Sequence, residues 1–397
     1  MDISFHYFAV KSVVRAAGYD EAKAQRIAEY SQFIDDYNWH DYFRAGNIPD
    51  YIKSDELDIV FNETMKIIHP VTTGFSDLVS MATLILPKSQ KYMISPFHII
   101  PRDKQSMDRK DHRAVPAVLN DGSYISSMLQ ELKNDIVSGK VDESDKLMRM
   151  GMLFHTLADT YAHQLFTGYA EEVNSVELIS VTDNITGEDV TQKYHFWIEE
   201  CLTKLEEILK ITPPTIGHMA IAHIPDLSHL SFEMEYKGFD GTVHRHSRSN
   251  TSTFVTACRQ LYNYVRDILG NSVPADMEWN ELAPKLADGF LIDASEELKK
   301  GEADAVKVLA PHWKNIFPNY NYSYSSEEIK TSFVMAELND SCKFAVDGEE
   351  LEFFGKDYTD DFYKFSYYAD KHLIYLYGEH PRNRMSELET EENSVTV

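Results

Sequence analysis

Cysteine is scarce, with three in 397 residues. Cys201, Cys258 and Cys342 are far apart and form no CxxC pair, which excludes a disulfide framework and a thiolate zinc site. They read as buried hydrophobes. Long apolar runs are also missing, and none approaches the roughly 20 residues that span a bilayer. The opening residues, Met1-Asp2-Ile3-Ser4-Phe5-His6, lack the basic region and apolar core of a secretory signal, so the expectation is a cytoplasmic chain without a transmembrane segment. Basic side chains are outnumbered 38 to 64 by acidic ones, for a net charge of −26. That balance argues against a broad surface for nucleic acid or anionic lipid. There are no internal repeats and no extended low-complexity tract.

What the chain has is apolar and aromatic content, 43% and 12%, enough for a substantial core in one large or two ordinary domains. Apolar residues recur at helical spacing from Ser4 to Ala17 and stop at Gly18. A second helix follows Asp20 and ends on Ile34-Asp35-Asp36. Acid at a helix C-terminus opposes the macrodipole, so Asp35 or Asp36 needs another partner. From about 45 to 120, prolines break the periodicity, and His69 and His98 each lie beside one, in Ile68-His69-Pro70 and Pro96-Phe97-His98.

Helices are expected at about 122–138, 145–167 and 193–211, with a hairpin insertion at about 170–192. Another is expected after Pro213-Pro214, carrying Gly217-His218 to His223, and two or three more between 251 and 311. Beyond 312 the pattern suggests turns, a few strands and a helix near 358–377, then an acid-rich tail. The expected fold is mainly α: a multi-helix metal-centred bundle over 1–311 with small β insertions, a C-terminal α+β accessory region over 312–380, and a flexible tail over 381–397.

The most informative segment is Phe154-His155-Thr156-Leu157-Ala158-Asp159-Thr160-Tyr161-Ala162-His163-Gln164. Steps of four along an α-helix drift by only about 40°, which keeps His155, Asp159 and His163 on one face. The surrounding residues are apolar on most sides, and a buried helix must pair or coordinate its ionisable groups. Metal coordination satisfies all three together. With His6, Asp35 or Asp36, His69, His98 and His218, the candidates exceed the four ligands of one tetrahedral zinc and suit two or three metals sharing a carboxylate. Nitrogen and oxygen donors fit zinc, and equally iron, manganese or nickel.

The order of an N-terminal His, an Asp after the second helix, a loop His, a helical H-x-x-x-D, a following His and a later His resembles the zinc-dependent phospholipase C and single-strand-specific zinc nuclease superfamily. Phe5-His6-Tyr7, Ile34-Asp35-Asp36, Pro96-Phe97-His98, His155–Gln164, Gly217-His218 and Pro225-Asp226 are similar to a little-characterised bacterial branch of it, over roughly residues 1–270. The resemblance implies that Asp159 bridges two metals and that His155 and His163 each bind one. It implies that His6, Asp35 or Asp36 and His218 complete the shells, with His98 or His69 in the remaining loop position. The chain differs from the secreted members in having no signal ahead of Met1 and a shorter interval from Asp159 to the next His. It also lacks a carboxylate one turn after His218, which points to two metals rather than three.

The chemistry implied is hydrolysis of a phosphoester by metal-activated water. Asp226 orients His218 or serves as base, and also suits a plain turn. Arg102 and Arg248 are candidates for binding substrate phosphate, and equally suit ion pairs. The acidic surface favours a small-molecule or lipid-headgroup phosphoester over long nucleic acid. Two other readings stand beside this one. His40-Asp41 supplies the dipeptide of HD-type phosphohydrolases, and di-iron oxygenases also place His and Asp ligands on helices. A metal-stapled scaffold could instead engage a protein partner through its C-terminal region, with Tyr320 to Tyr324 as the contact surface.

Overall fold

A computed structural model describes residues 1–38, 42–53, 57, 59–74, 85–210, 212, 215–238, 240–346 and 349–378. His40-Asp41, Pro213-Pro214 and the acid-rich tail lie outside them. The chain divides into two compact units, residues 1–34 with 78–324 and residues 35–77 with 325–397. The second unit is therefore discontinuous, whereas the sequence suggested one continuous domain to 311 and an accessory region after it. The mainly α expectation is corrected as well: about 52% of the chain is helical and 16% is strand, in two sheets, so the fold is mixed α/β.

The first unit opens with a π-helical turn, Ser4–Ala9, running into α1 (Val10–Ala16), and α2 (Glu21–Asp36) follows. Further on come α3 (Tyr124–Val137) and α4 (Glu143–Ala162), the central helix. Asp142 caps α4 by accepting the Asp145 amide at 2.8 Å, and Glu143 and Asp145 place acid where the macrodipole favours it. Fifteen residues between Leu147 and Ala162 are buried, so α4 has no solvent face along most of its length. Gly151 sets its approach to α2. A Cβ there would lie 2.5 Å from the Ile27 carbonyl oxygen and 2.6 Å from the Tyr30 Cβ, so only glycine lets the two backbones touch.

The first unit also holds a three-stranded antiparallel sheet: β1 (Val176–Asp183), β2 (Leu230–Lys237) and β3 (Val243–Ser249). The hairpin expected at 170–192 is present as a short return, with Thr182 opposite Asp189 and the Val190 amide on the Val181 carbonyl at 2.9 Å, while the main pairing of β1 is across to β2 (Leu178 with Met234, Val181 with Phe232). Helix α5 (Thr191–Leu209) packs on the sheet through Tyr194 and Ile198, against Val181, Phe232 and the turn residues Ile221, Ile224 and Leu227. This apolar cluster backs residues 218–227. Three more helices, α6 (Asn250–Leu269), α7 (Trp279–Phe290) and α8 (Glu302–Ile316), complete the unit. The aromatic stretch after α8 is not a free surface. Tyr320 and Tyr324 are buried, the Tyr322 hydroxyl lies 2.7 Å from the Ser12 hydroxyl, and the Tyr324 ring packs on Tyr7.

In the second unit, strands Val60–Asn62, Ile67–Ile68, Phe43–Ala45, Glu349–Tyr358 and Val334–Val346 lie in that order in one sheet. Phe43–Ala45 runs parallel to Glu349–Tyr358, with Arg44 opposite Gly355, which ties the two distant stretches of chain together. Helix α9 (Asp360–Tyr377) follows the sheet.

Candidate metal centre

Four separate pieces of backbone in the first unit deliver buried imidazoles and carboxylates to one place. His6 sits in the π-helical turn at the N-terminus, a form of helix found mostly at functional sites. His98 follows a second π-helical turn, Gln90–Ile94, and caps the short helix Ser95–Phe97. Gly168 holds this segment close to the chain leaving α4, since a Cβ there would lie 2.8 Å from the Ser95 Cα. His155 and Asp159 lie on α4, and His163 is its C-cap rather than a helical residue. His218 precedes a single 3₁₀ turn, Met219–Ile221, and Asp226 follows it. The helix expected from 215 to 223 does not form. Gly217 has φ +55° and Ala222 φ +47°, and both bend the chain out of helical geometry.

The side chains fall into two adjacent groups. In the first, Asp159 Oδ2 lies 3.2 Å from His155 Nε2 and 3.4 Å from His98 Nδ1, and those two ring nitrogens are 3.2 Å apart. Asp159 Oδ1 faces the other way, 3.1 Å from His6 Nε2 and 2.5 Å from the Met1 nitrogen. In the second, Asp226 Oδ1 lies 3.2 Å from His163 Nε2, and Oδ2 lies 3.3 Å from His218 Nε2 and 3.2 Å from His223 Nδ1. His163 links the two, because its Nδ1 is 3.8 Å from Asp159 Oδ2. Donor atoms of His6, His155 and Asp159, and separately of His163, His218 and Asp226, all lie within 4.8 Å of one another.

Three of the rings are held from behind by backbone carbonyls. His155 Nδ1 donates to the Ser31 carbonyl at 2.8 Å, His163 Nδ1 to the His98 carbonyl at 2.7 Å, and His218 Nδ1 to the Ala222 carbonyl at 2.6 Å. Each bond fixes the tautomer and turns the Nε2 lone pair toward the carboxylates. Ala222 is held in a backbone conformation disfavoured for a side-chain-bearing residue, and its carbonyl is the acceptor that orients His218, so the strain serves the site. His6 shows the most. It is fully buried, and among the described residues neither ring nitrogen has a hydrogen-bond partner, its 3.1 Å approach to Asp159 lacking hydrogen-bond alignment. Two buried orphan nitrogens are a large uncompensated cost unless an ion takes one of them.

Charge states agree with coordination. Burial lowers His155 and His218 to about 4, and burial and then the neighbouring His155 hold His6 well below its ordinary value, so all three present neutral lone pairs at pH 7. Burial alone would raise Asp159 and Asp226. The Met1 amine and the imidazoles for Asp159, and His218 followed by that amine for Asp226, hold both carboxyls well below the usual range.

Asp35 and Asp36 close α2, half-buried and buried, and a carboxylate oxygen of Asp35 lies within 4.8 Å of ring nitrogens of His98 and His155. The other sequence candidates are elsewhere. His69 belongs to the second unit, its amide bonded to the Ile59 carbonyl and its ring 4.8 Å from Tyr42. Arg102 is a partly exposed surface residue that donates to Asp103 at 2.8 Å. Arg248, expected at the substrate, is 7% exposed and committed to protein acceptors: the carbonyls of Tyr161, Ala162 and Pro225 and the Asn250 side chain, at 2.7–2.9 Å. Sequence reasoning passed over His223, whose ring is 65% exposed while the other imidazoles of the centre are buried or nearly so. Its one signal was the run His223-Ile224-Pro225-Asp226, a histidine at a proline turn three residues before the carboxylate.

No helix among the described residues is long and apolar enough to cross a membrane. No curated protein and no solved structure matches the chain. The model of one protein family, DUF6765, a family of unknown function, matches residues 1–379.

Proposed function

The chain belongs to DUF6765, whose function is unknown, so its activity has to be argued from the site, and we propose that it is a metal-dependent hydrolase of phosphoesters. The observation that carries the reading is His6, a fully buried imidazole with both nitrogens orphaned beside Asp159. The donor set fits the ion proposed. Nitrogen and carboxylate oxygen without thiolate suit zinc, with iron, manganese and nickel as alternatives.

Two ions are expected, one at each group. His6, His155 and Asp159 offer three donors in a closed setting, with His98 and Asp35 against His155, whereas His163, His218 and Asp226 offer three and border the exposed ring of His223. A closed site with further donors at hand resembles structural metal sites, and a three-donor site at an exposed edge leaves a position for water or substrate, as catalytic sites do. Asp159, with one oxygen facing His6 and the other facing His155, His98 and His163, is the proposed bridge between ions. When bound, such metals activate water and polarise a phosphoryl oxygen. The protein's part is to keep Nε2 of His163 and His218 aimed, and to exclude bulk water from the Asp159 side. His223, held by Asp226 at the exposed edge, stands where a substrate enters. A small phosphoester, free or as a lipid headgroup, suits the acidic chain better than a polyanion.

The closed group also favours a second reading, a metal-stapled protein without catalysis. Elemental analysis of the purified full chain, paired with hydrolysis of phosphomonoester, phosphodiester and phospholipid panels, separates the readings. Two transition-metal ions per chain, lost in Asp159→Ala, with hydrolysis of at least one panel, is the expected result. One ion and no hydrolysis supports the structural reading, and a metal-replete preparation holding no ion sinks both.

A further inference from the structure

Arg248 connects the two sides of the second metal group. Its Nη1 donates to the Tyr161 carbonyl at 2.8 Å and the Ala162 carbonyl at 2.7 Å, the last carbonyls of α4, which have no further helical partner. Its Nη2 donates to the Pro225 carbonyl at 2.9 Å, one residue before Asp226. Its Nε donates to Asn250 Oδ1 at 2.9 Å, and the Asn250 amide donates in turn to the Ile224 and Leu227 carbonyls at 2.7 and 2.8 Å. The guanidinium lies 4.9 Å from the centroid of the Phe232 ring, which closes its other face. One rigid fork thus spans from the end of the helix that presents His163 to the turn that presents Asp226.

Resting on the metal-centre reading above, we propose that Arg248, seconded by Asn250, is a positioning residue that sets the distance between His163 and Asp226 and so determines binding of the second ion. His155 and Asp159 are fixed differently, by the hydrogen bonds within α4 and by the close packing of α4 on α2 at Gly151. His163 has less support, its amide on the Asp159 carbonyl at 2.9 Å and its Nδ1 on the His98 carbonyl. It is the C-cap, past the last turn, and its position relative to Asp226 depends on what joins the two backbones. A lysine in place of Arg248 keeps the charge but presents a point donor in place of a planar fork, so it cannot reach the helix end and the turn together.

The test is titration of the metal-stripped full-length chain with Co(II), read by visible absorption, alongside thermal melts of the stripped protein. The wild type should take up two equivalents. In Arg248→Lys the first equivalent should bind as in the wild type and the second should bind 10–100-fold more weakly, the range seen when groups that orient metal ligands are removed. Asn250→Ala, which leaves the guanidinium in place and frees the Ile224 and Leu227 carbonyls, should weaken the same equivalent by less. Equal weakening of both equivalents in step with a lowered melting temperature, or failure of both variants to fold, assigns Arg248 a general structural role and overturns the proposal. Unchanged affinity for both also overturns it. A wild-type chain that takes up no cobalt fails the underlying metal reading instead.

Discussion

A buried imidazole with no hydrogen-bond partner is tolerable only if something else takes its lone pair, and this makes His6 a direct probe of the centre. Phenylalanine at position 6 keeps an aromatic ring against His155, whose ring centroid is 3.9 Å away in a stacked arrangement, but removes both orphan nitrogens. Replacing an unsatisfied buried polar group by an apolar one of similar shape is neutral or stabilising, by about 1–2 kcal/mol. His6→Phe should therefore raise the melting temperature of the chelated protein and lower that of the metal-loaded protein, where a ligand has gone. A shift in the same direction in both states contradicts the assignment of His6 as a ligand. His155, Asp159 and His163 were legible in the sequence because one spacing of four places them on one face. The bracing role of Arg248 was not, because it depends on a helix end and a turn distant from it in the chain, and His223 was passed over because a histidine at a proline turn carries no helical spacing.

At the scale of elements, the start of α4 was legible, expected at about 145 and found at Glu143, because the residues after 147 are apolar on most sides, whereas the end expected at about 167 comes at Ala162. The segment from 215 to 223 misled, because Gly217 also admits a positive φ and Ala222 is held in one against its own preference, which no spacing announces. The strand Phe43–Ala45 was unreadable for another reason: its partner is Glu349–Tyr358, and three residues carry no period that could announce so distant a pairing. The contact of α4 with α2 gives a prediction of its own. In Gly151→Ala the new methyl group would press on the Ile27 carbonyl and the Tyr30 Cβ, both on the main body of α2. Overpacking of this kind costs about 1–3 kcal/mol, and it should move Ser31 away from His155 Nδ1. Urea unfolding should show the loss, and metal affinity should fall with it. A variant as stable as the wild type means that the helices are not in contact there.

For the whole molecule, net charge and buried histidine make opposite predictions about acid. A chain at −26 repels itself, and protonating its many exposed carboxylates should relieve that repulsion and favour the compact state. The centre works the other way once metal is removed. His155 is lowered by burial to about 4 against about 6.5 in an unfolded chain. Between those values the unfolded state binds a proton that the folded state refuses, so folding stability is full above pH 6.5 and is lost progressively down to pH 4. The shift corresponds to about 3 kcal/mol as an upper figure for His155. His218 acts in the same direction with less, being 15% exposed. Asp159 and Asp226 do not blur this window, because their lowered values keep their contribution intact until the pH falls below the ordinary carboxylate range. Asp2 opposes the imidazoles, because burial raises it to about 7 and the folded state then takes up its proton before the unfolded chain does. Urea unfolding of the chelated full-length chain at pH 7.5, 5.5 and 4.5 should show stability falling stepwise, and His155→Gln should flatten the fall. Stability that rises between pH 7.5 and 5.5, in the wild type and in Asp2→Asn alike, would mean that charge relief dominates and that the imidazoles of the centre are reached by water.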